Sequence, residues 1–146
     1  MKYSVVTFFS FLLTASLLIS GYMFSGSVEE SQQDNNQKVF EMRTYTTYDG
    51  KLDDLHKRFK DHTIRLFEKH GMLSVGYWVP RDEALSENTL VIIISHESPE
   101  DVESNWDSFV SDPEWQQVYE ESHAAGPLVG NVDRVFLDAA PYSQIQ

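Results

Sequence analysis

Apolar and polar residues alternate along the segment VFEMRTYTT, which forms most of the first predicted strand. Successive side chains of a strand point to opposite faces of a sheet. Phe40 and Met42 therefore share one face, and Glu41, Arg43 and Tyr45 share the other. Because a half-buried strand turns an apolar face to the core, we assign Phe40 and Met42 to the face that packs against helices. The opposite face then carries an acid, a base and a phenol.

A helical period follows this strand. Apolar residues recur three or four positions apart over residues 51–70, with acids in the first turn and bases in the last. Gly71 stands where a helix ends on a left-handed residue. Two later helices are predicted to begin at Ser-Pro (98–99) and Asp-Pro (112–113), where a capping side chain precedes a proline in the first turn.

The remaining apolar segments predict strands over residues 38–46, 72–80, 89–96 and 131–139, with a polar loop over 81–88. The resulting order is β-α-β-β-α-α-β. This is the ferredoxin-like split βαβ arrangement of the α+β class, a four-stranded antiparallel sheet with helices on one face.

The third strand is apolar on both of its faces, with Leu90, Ile92 and Ile94 on one side and Val91 and Ile93 on the other. Helices cover only one face of such a sheet, and burying each of these side chains stabilises the fold by roughly 1.5–3 kcal/mol. A second copy of the chain, packed sheet against sheet, would cover the other face. The pattern thus predicts a homodimer with a dimeric α+β barrel, whose interior is lined by the helix-free faces.

The first 27 residues have a different composition from the rest. Lys2 precedes a long apolar run without acids, and small residues Ser25 and Ser27 fit a cut before Val28. This is typical of a secretory signal peptide. The alternative is an uncleaved anchor over residues 3–24, since roughly 20 apolar residues span a bilayer.

Three regions are therefore predicted: a signal peptide over 1–27, a disordered linker over 28–37 and the folded domain over 38–146. The domain is expected in the periplasm or outside the cell. Contact with a membrane is expected only if the leader is not cleaved.

Charge and composition exclude several classes of function. The 146 residues carry a formal net charge of −12, which argues against nucleic acid and anionic lipid as partners. There is no cysteine, so disulfides, thiol catalysis and thiolate metal sites are excluded. No histidine has the spacing of a known metal motif. We predict no metal and no cofactor.

Several segments in a fixed order resemble the NIPSNAP family. They are VFEMRTYTTYDGKLDDLHKRF, HTIRLFEKHGMLSVGYW and SDPEW, and the resemblance spans nearly all of residues 39–137. It implies the dimeric α+β barrel superfamily, in agreement with the fold derived above, and a poorly defined activity. Some animal members are mitochondrial and linked to vesicle traffic or to marking damaged mitochondria, but the secretory leader does not fit that role. Wider relatives include cofactor-independent monooxygenases, haem-degrading proteins and small-molecule lyases.

The polar row of the first strand is the main candidate site. Glu41, Arg43 and Tyr45 are predicted to face the barrel interior. In one interpretation Glu41 and Arg43 form a structural ion pair, because a buried charge must be compensated. In the other they line a pocket in which Arg43 binds a small organic anion and Tyr45 donates a hydrogen bond.

Three further residues complete the set of ligand-binding candidates. His62 lies beside the apolar stripe of the first helix and could act as a general base, although a structural histidine is the simpler interpretation. His96 ends the third strand in phase with Ile92 and Ile94. Trp78 or its neighbour Tyr77 is expected to line the interior, and the resemblance favours Trp78.

Two classes of function remain open. One is an exported, dimeric binding or scaffold module of the NIPSNAP type. The other is a cofactor-independent enzyme, of monooxygenase or isomerase type, acting on a small organic substrate. A continuous cavity of a few hundred Å³ in the barrel interior, holding Arg43, Tyr45 and a histidine, would favour ligand handling, whereas a filled interior would favour a scaffold.

Overall fold

The computed structural model describes residues 37–146. The predicted signal peptide and all but the last residue of the predicted linker therefore lie outside the described residues. The strands are β1 (Val39–Thr47), β2 (Leu73–Trp78), β3 (Thr89–His96) and β4 (Val129–Asp138). The helices are α1 (Leu52–Arg58), a π-helical turn (Phe59–Thr63), α2 (Ile64–Lys69), α3 (Glu83–Ser86), α4 (Asp101–Val110) and α5 (Pro113–Ser122).

The four strands form one antiparallel sheet in the order β2-β3-β1-β4. β1 pairs with β3 on one side and with β4 on the other, so that Arg43 lies opposite both Ile92 and Arg134. Helices cover one face of this sheet. The prediction of a ferredoxin-like α+β fold is confirmed.

The hydrophobic core lies between the sheet and the helices. Leu90, Ile92 and Ile94 of β3 pack there against buried apolar side chains of the helical segments, which include Leu55, Phe59, Leu66, Phe67 and Phe109. Their burial follows the helical period of the sequence, because residues three or four positions apart share one face of a helix. Within residues 37–146, no helix combines the length and the hydropathy needed to cross a membrane.

The first helical region ends as predicted but is not a regular α-helix. Gly71 has φ +77°. The amide of Met72 donates to the carbonyl of Phe67 at 2.9 Å, which closes the last turn in the manner of a glycine C-cap. Between α1 and α2 the chain makes a π-helical turn, in which the hydroxyl of Thr63 donates to the carbonyl of Arg58 at 3.2 Å.

Two local predictions were wrong. Residues 81–88 were expected to be a loop, but they contain α3, because the side chain of Asp82 accepts a hydrogen bond from the amide of Ala84 and caps a short helix. α4 begins at Asp101 rather than directly after Ser98, although the Ser98 hydroxyl oxygen does accept a hydrogen bond from the Asp101 amide at 3.3 Å, as a cap would. The Ser98 hydroxyl donates to the Asp101 carboxylate at 2.8 Å, and Pro99 lies in the preceding turn. The Asp112 cap of α5 is confirmed, with its side chain 2.8 Å from the amide of Glu114.

The assignment of the two faces of β1 was also wrong. Glu41, Arg43 and Tyr45 pair with Ile94, Ile92 and Leu90, whose side chains pack under the helices. The polar row therefore faces the helix layer and not the helix-free side. Alternation defines two sets of residues but not which set meets the helices. Here the helices bring polar donors to the row, so that its charges are compensated.

The helix-free face is mostly apolar. It carries Met42 and Val135 at its centre, Leu137 beside them and Trp78 towards the far edge. Trp78 is 49% exposed and lies against Gly76, where an added Cβ would come within 2.6 Å of the ring. Tyr77 points the other way, into the core, with its ring 5.8 Å from that of Phe59.

Candidate functional site

A cavity of about 400 Å³ lies between the helix-covered face of the sheet and the π-helical turn, α4 and α5. Arg43 and Tyr45 of β1 form part of its floor, and Arg58 enters from the end of α1. Most of the remaining wall is apolar or aromatic, with Phe67, Trp106, Phe109, Trp115 and Tyr119 among its side chains. His123 closes one side. The cavity thus combines apolar surface with two guanidinium groups.

Arg43 is held in place by three neighbours. Its Nη1 donates to Glu41 Oε1 at 2.6 Å, and its Nε donates to the Tyr45 hydroxyl at 3.0 Å. The guanidinium carbon also lies 4.2 Å from the centre of the Trp106 ring, a cation–π contact. Because the charge of Arg43 is matched by that of Glu41, the pair is close to neutral.

Glu41 is fully buried, and its Oε2 accepts two further contacts behind this pair. Trp106 Nε1 donates to Glu41 Oε2 at 2.7 Å, and His96 Nε2 lies 3.2 Å from the same oxygen. Burial raises the pKa of Glu41, but the hydrogen bonds from His96, Trp106 and Arg43 outweigh it and hold the pKa below its ordinary value. Glu41 is therefore a charged, structural anchor for Arg43.

His96 is satisfied on both ring nitrogens. Asn105 Nδ2 lies 3.2 Å from His96 Nδ1 and also donates to the carbonyl of Gly71. An amide nitrogen can only donate, so Nδ1 accepts and Nε2 carries the proton towards Glu41. This arrangement is that of a structural histidine, and it links β3, β1 and α4 behind the cavity.

Tyr45 contributes a phenol that stays protonated. Burial raises the pKa of the Tyr45 hydroxyl, and the positive charge of Arg43 offsets this only in part. The hydroxyl already accepts a hydrogen bond from Arg43. Its own proton is free to be donated, so Tyr45 is suited to orient a ligand and not to act as a base.

Arg58 occupies the last position of α1, where the π-helical turn begins. Arg58 and Phe59 are consecutive, yet both line the cavity. The Arg58 side chain is 7% exposed. Its guanidinium carbon lies 5.3 Å from the centre of the Trp115 ring and 6.0 Å from that of Tyr119. Burial lowers the pKa of Arg58, an effect that two neighbouring phenols, Tyr45 and Tyr119, oppose.

The structure separates the six predicted site residues. Arg43 and Tyr45 line the cavity, whereas Glu41 and His96 lie behind it. His62 lines a neighbouring groove of about 380 Å³ between α1 and α5. Trp78 lies on the opposite face of the sheet.

Arg58 is the main residue that sequence reasoning missed. It lies three positions after Leu55 and next to Phe59, on the buried side of a helix where a charged residue is uncommon. That irregularity in the apolar stripe was a readable signal. Trp106 and Trp115 pack against the core and also line the cavity.

The part of the chain that the structure describes shows no candidate metal site. Residues 37–146 contain no group of three or more His, Asp or Glu side chains placed to hold an ion. The expected absence of a metal and a cofactor stays a prediction.

Comparisons with known proteins agree with this architecture. The NIPSNAP family model matches residues 40–144. Among solved structures, a NIPSNAP family protein of unknown function from Agrobacterium tumefaciens has 21% identity and a TM-score of 0.65, over 76% of this chain and 96% of that one. A NIPSNAP-like domain protein from Burkholderia xenovorans has 19% identity and a TM-score of 0.64, over 74% of this chain and 90% of that one. These identities carry information about the fold alone. The search among curated proteins found no match.

Proposed function

This chain belongs to the NIPSNAP family, and on that premise we propose that it is an exported, homodimeric module that binds a small organic molecule. Family membership leaves the molecular activity undefined, since the similar protein from Agrobacterium tumefaciens is itself of unknown function. The proposal therefore has to rest on the site.

The observation that carries the proposal is the cavity beside Arg43 and Arg58. Its volume of about 400 Å³ falls in the range of small-molecule sites, which are concave and largely apolar with a few polar groups. The cavity holds Arg43, Tyr45 and a histidine, His123, but it lies on the helix side of the sheet and not in the barrel interior, where the sequence pattern had led us to expect it.

The dimer is proposed from the helix-free face. Val135 and Leu137 of β4 are 46% and 38% exposed there, and the exposed Trp78 lies on the same face at the opposite edge of the sheet. Two such faces packed together would remove this apolar surface from water. In that arrangement the ligand cavity lies on the outer side of each sheet, so each protomer would keep its own site.

Export is proposed from the sequence alone. Lys2, the apolar run that follows and the small residues Ser25 and Ser27 support a cleaved leader. Expression of the full chain in a bacterial host, followed by intact mass measurement, tests this. The expected product begins near Val28 and is found outside the cytoplasm, while a full-length mass in the membrane fraction would support an anchor instead.

Ligand binding is tested by native mass spectrometry of protein purified without denaturation. We expect a retained small molecule, or binding of members of a small aromatic panel. Val132→Phe should abolish it, because Val132 lines the cavity. Val79→Phe serves as the control, since Val79 is exposed away from the cavity. Equal retention by both variants, or no binding of any compound, would overturn the proposal.

A further inference from the structure

Arg58 is a buried cation for which residues 37–146 provide no counter-ion. We infer that the ligand is a monocarboxylate with an apolar or aromatic body, and that Arg58 binds its carboxylate. The inference rests on the proposed function and specifies the chemistry of its ligand.

The hydrogen-bonding capacity of Arg58 is largely unused. A guanidinium has five N–H donors. Within the part of the chain that the structure describes, Arg58 makes one side-chain hydrogen bond, a long one of 3.4 Å from Nη1 to the Ser122 hydroxyl. Its Nε is buried with no partner at all. A buried donor without a partner is costly, so the arrangement is explained by a group that is supplied from outside.

Carboxylates are close by but do not pair with Arg58. Asp54, Asp61 and Glu121 line the neighbouring groove, which Arg58 also borders. Asp61 is paired with Lys57, and Asp54 lies 3.4 Å from Lys51. Among residues 37–146, no acid lies within ion-pair distance of Arg58. The other guanidinium of the cavity, that of Arg43, is matched by Glu41 at 2.6 Å.

The charges in the cavity indicate the net charge of the ligand. The Arg43–Glu41 pair is neutral, so the cavity has one uncompensated positive charge. A ligand with a single negative charge cancels it, whereas a dianion such as a phosphate monoester would leave a buried negative charge uncompensated. A carboxylate also matches the planar fork of a guanidinium through two parallel hydrogen bonds.

The lining of the cavity indicates the chemistry of the part of the ligand beyond its carboxylate. Phe59, Phe67, Phe109, Trp115 and Val132 leave mainly apolar surface beyond the guanidinium. Arg43 and the Tyr45 hydroxyl add one polar corner on the β1 side. An aromatic ring or a short alkyl chain fits such a wall, with room for about one ring and its carboxylate-bearing chain at this size of cavity.

The test compares 3-phenylpropionate with 3-phenylpropanamide, which has the same shape and no charge. Affinities are measured by calorimetry at neutral pH on the wild-type domain, residues 28–146, as purified. We expect the carboxylate to bind about tenfold to 100-fold more tightly than the amide, which corresponds to one charge-assisted bidentate contact. Phenyl phosphate should bind more weakly than 3-phenylpropionate.

Variants at Arg58 test whether this side chain causes the preference for the carboxylate over the amide. Arg58→Met should remove the preference for the carboxylate while the amide still binds, and Arg58→Lys should keep part of it, because an ammonium retains the charge but not the fork. Arg81→Met is the control, since Arg81 is an exposed arginine outside the cavity and should leave both affinities unchanged.

Thermal unfolding of Arg58→Met separates this role from a structural one. If Arg58 serves the ligand, the free variant should be at least as stable as the wild type, because an apolar side chain replaces an unpaired buried cation. A lower melting temperature would make Arg58 a structural residue and overturn the inference. Equal binding of acid and amide by the wild type would overturn it too, but would leave the proposed function standing. No binding of either compound, together with no retained molecule, would remove both.

Discussion

Glu41 shows how one buried charge can organise a site without taking part in binding. Its carboxylate is fully buried and receives contacts from Arg43, Trp106 and His96. Each contact comes from a different part of the chain. The residue therefore fixes the positions of Arg43 and Trp106, both of which line the cavity.

The first prediction tests this anchoring role by a double-mutant cycle. Arg43→Met leaves Glu41 buried without its main partner and should lower the free energy of unfolding by about 3–5 kcal/mol. Glu41→Gln combined with Arg43→Met should restore much of that loss, because no uncompensated charge remains. Urea unfolding measures all the variants. Arg65→Met is the matched control: it breaks the exposed pair with Glu114 and should cost about 0–1 kcal/mol. Simple additivity of the two substitutions would contradict the anchoring role.

The second prediction concerns the stability of the fold at acidic pH. Hydrogen bonds from Lys69, His70 and the amide of Glu114 hold the pKa of Asp112 well below its usual range. The pKa of Glu41 is also lowered. A lowered pKa stabilises the fold above the ordinary carboxyl pKa of about 4, and this contribution is lost as pH falls through the folded-state value. The melting temperature should therefore fall below about pH 4. Asp112→Asn should be less stable at neutral pH by a few degrees and should show a shallower acid dependence. Parallel pH profiles for the variant and the wild type would count against this assignment.

At the level of elements, the helical region between β1 and β2 determines where the cavity lies. The π-helical turn brings both Arg58 and Phe59 to the cavity side, and π-helical turns are frequent at functional sites. The region ends at Gly71, whose carbonyl accepts a hydrogen bond from Asn105 at 3.3 Å. Asn105 in turn contacts His96, so the end of α2 is connected to the network behind the cavity.

The third prediction compares two glycines with positive φ. Gly50 has φ +69° and no atom within 4 Å of an added Cβ, so Gly50→Ala should cost only the strain of a left-handed residue, about 1–2 kcal/mol. Gly71 has φ +77°, and an added Cβ would lie 3.0 Å from Asn105 Oδ1. Gly71→Ala should therefore cost clearly more, and it should disturb the environment of Trp106. Chemical denaturation and near-ultraviolet circular dichroism measure the two effects. Equal losses for the two variants would show that the contact with Asn105 is unimportant.

For the whole molecule, the two faces of the sheet have separate roles. The helix-covered face carries the cavity and the charged network. The helix-free face carries exposed apolar side chains, including Trp78, Val135 and Leu137. An exposed apolar surface of this kind is typical of interaction sites, and the proposed partner is a second copy of the chain.

The fourth prediction is that this face makes the dimer. Light scattering on residues 28–146 at micromolar concentration should give twice the mass of one chain. The double substitution Val135→Glu and Leu137→Glu should give a folded monomer, because both positions are exposed in the single chain and two facing rows of carboxylates would repel each other. Leu85→Glu, at an exposed position on α3, should remain dimeric. A monomeric wild type would refute the proposed assembly.

Local patterns in the sequence were enough to predict most of the elements. β3, the Asp112 cap, Gly71 and the order of strands and helices were confirmed, because each depends on neighbours within a few positions. The short helix after Asp82 was missed, since one side-chain cap decided it. The segments that resemble the NIPSNAP family identified the family correctly.

The sequence by itself determined most of the elements, the family and the two alternating residue sets of β1, since these depend on short-range spacing. Only the tertiary structure decided which set meets the helices. That choice depends on contacts between distant residues, such as the hydrogen bond that Trp106 donates to Glu41 from 65 positions away. The same holds for Arg58, because a charged residue on an apolar stripe becomes a candidate anion site only when folding buries it beside a cavity without a counter-ion. Burial and pairing depend on residues that are far apart in the chain, so no local pattern could supply them.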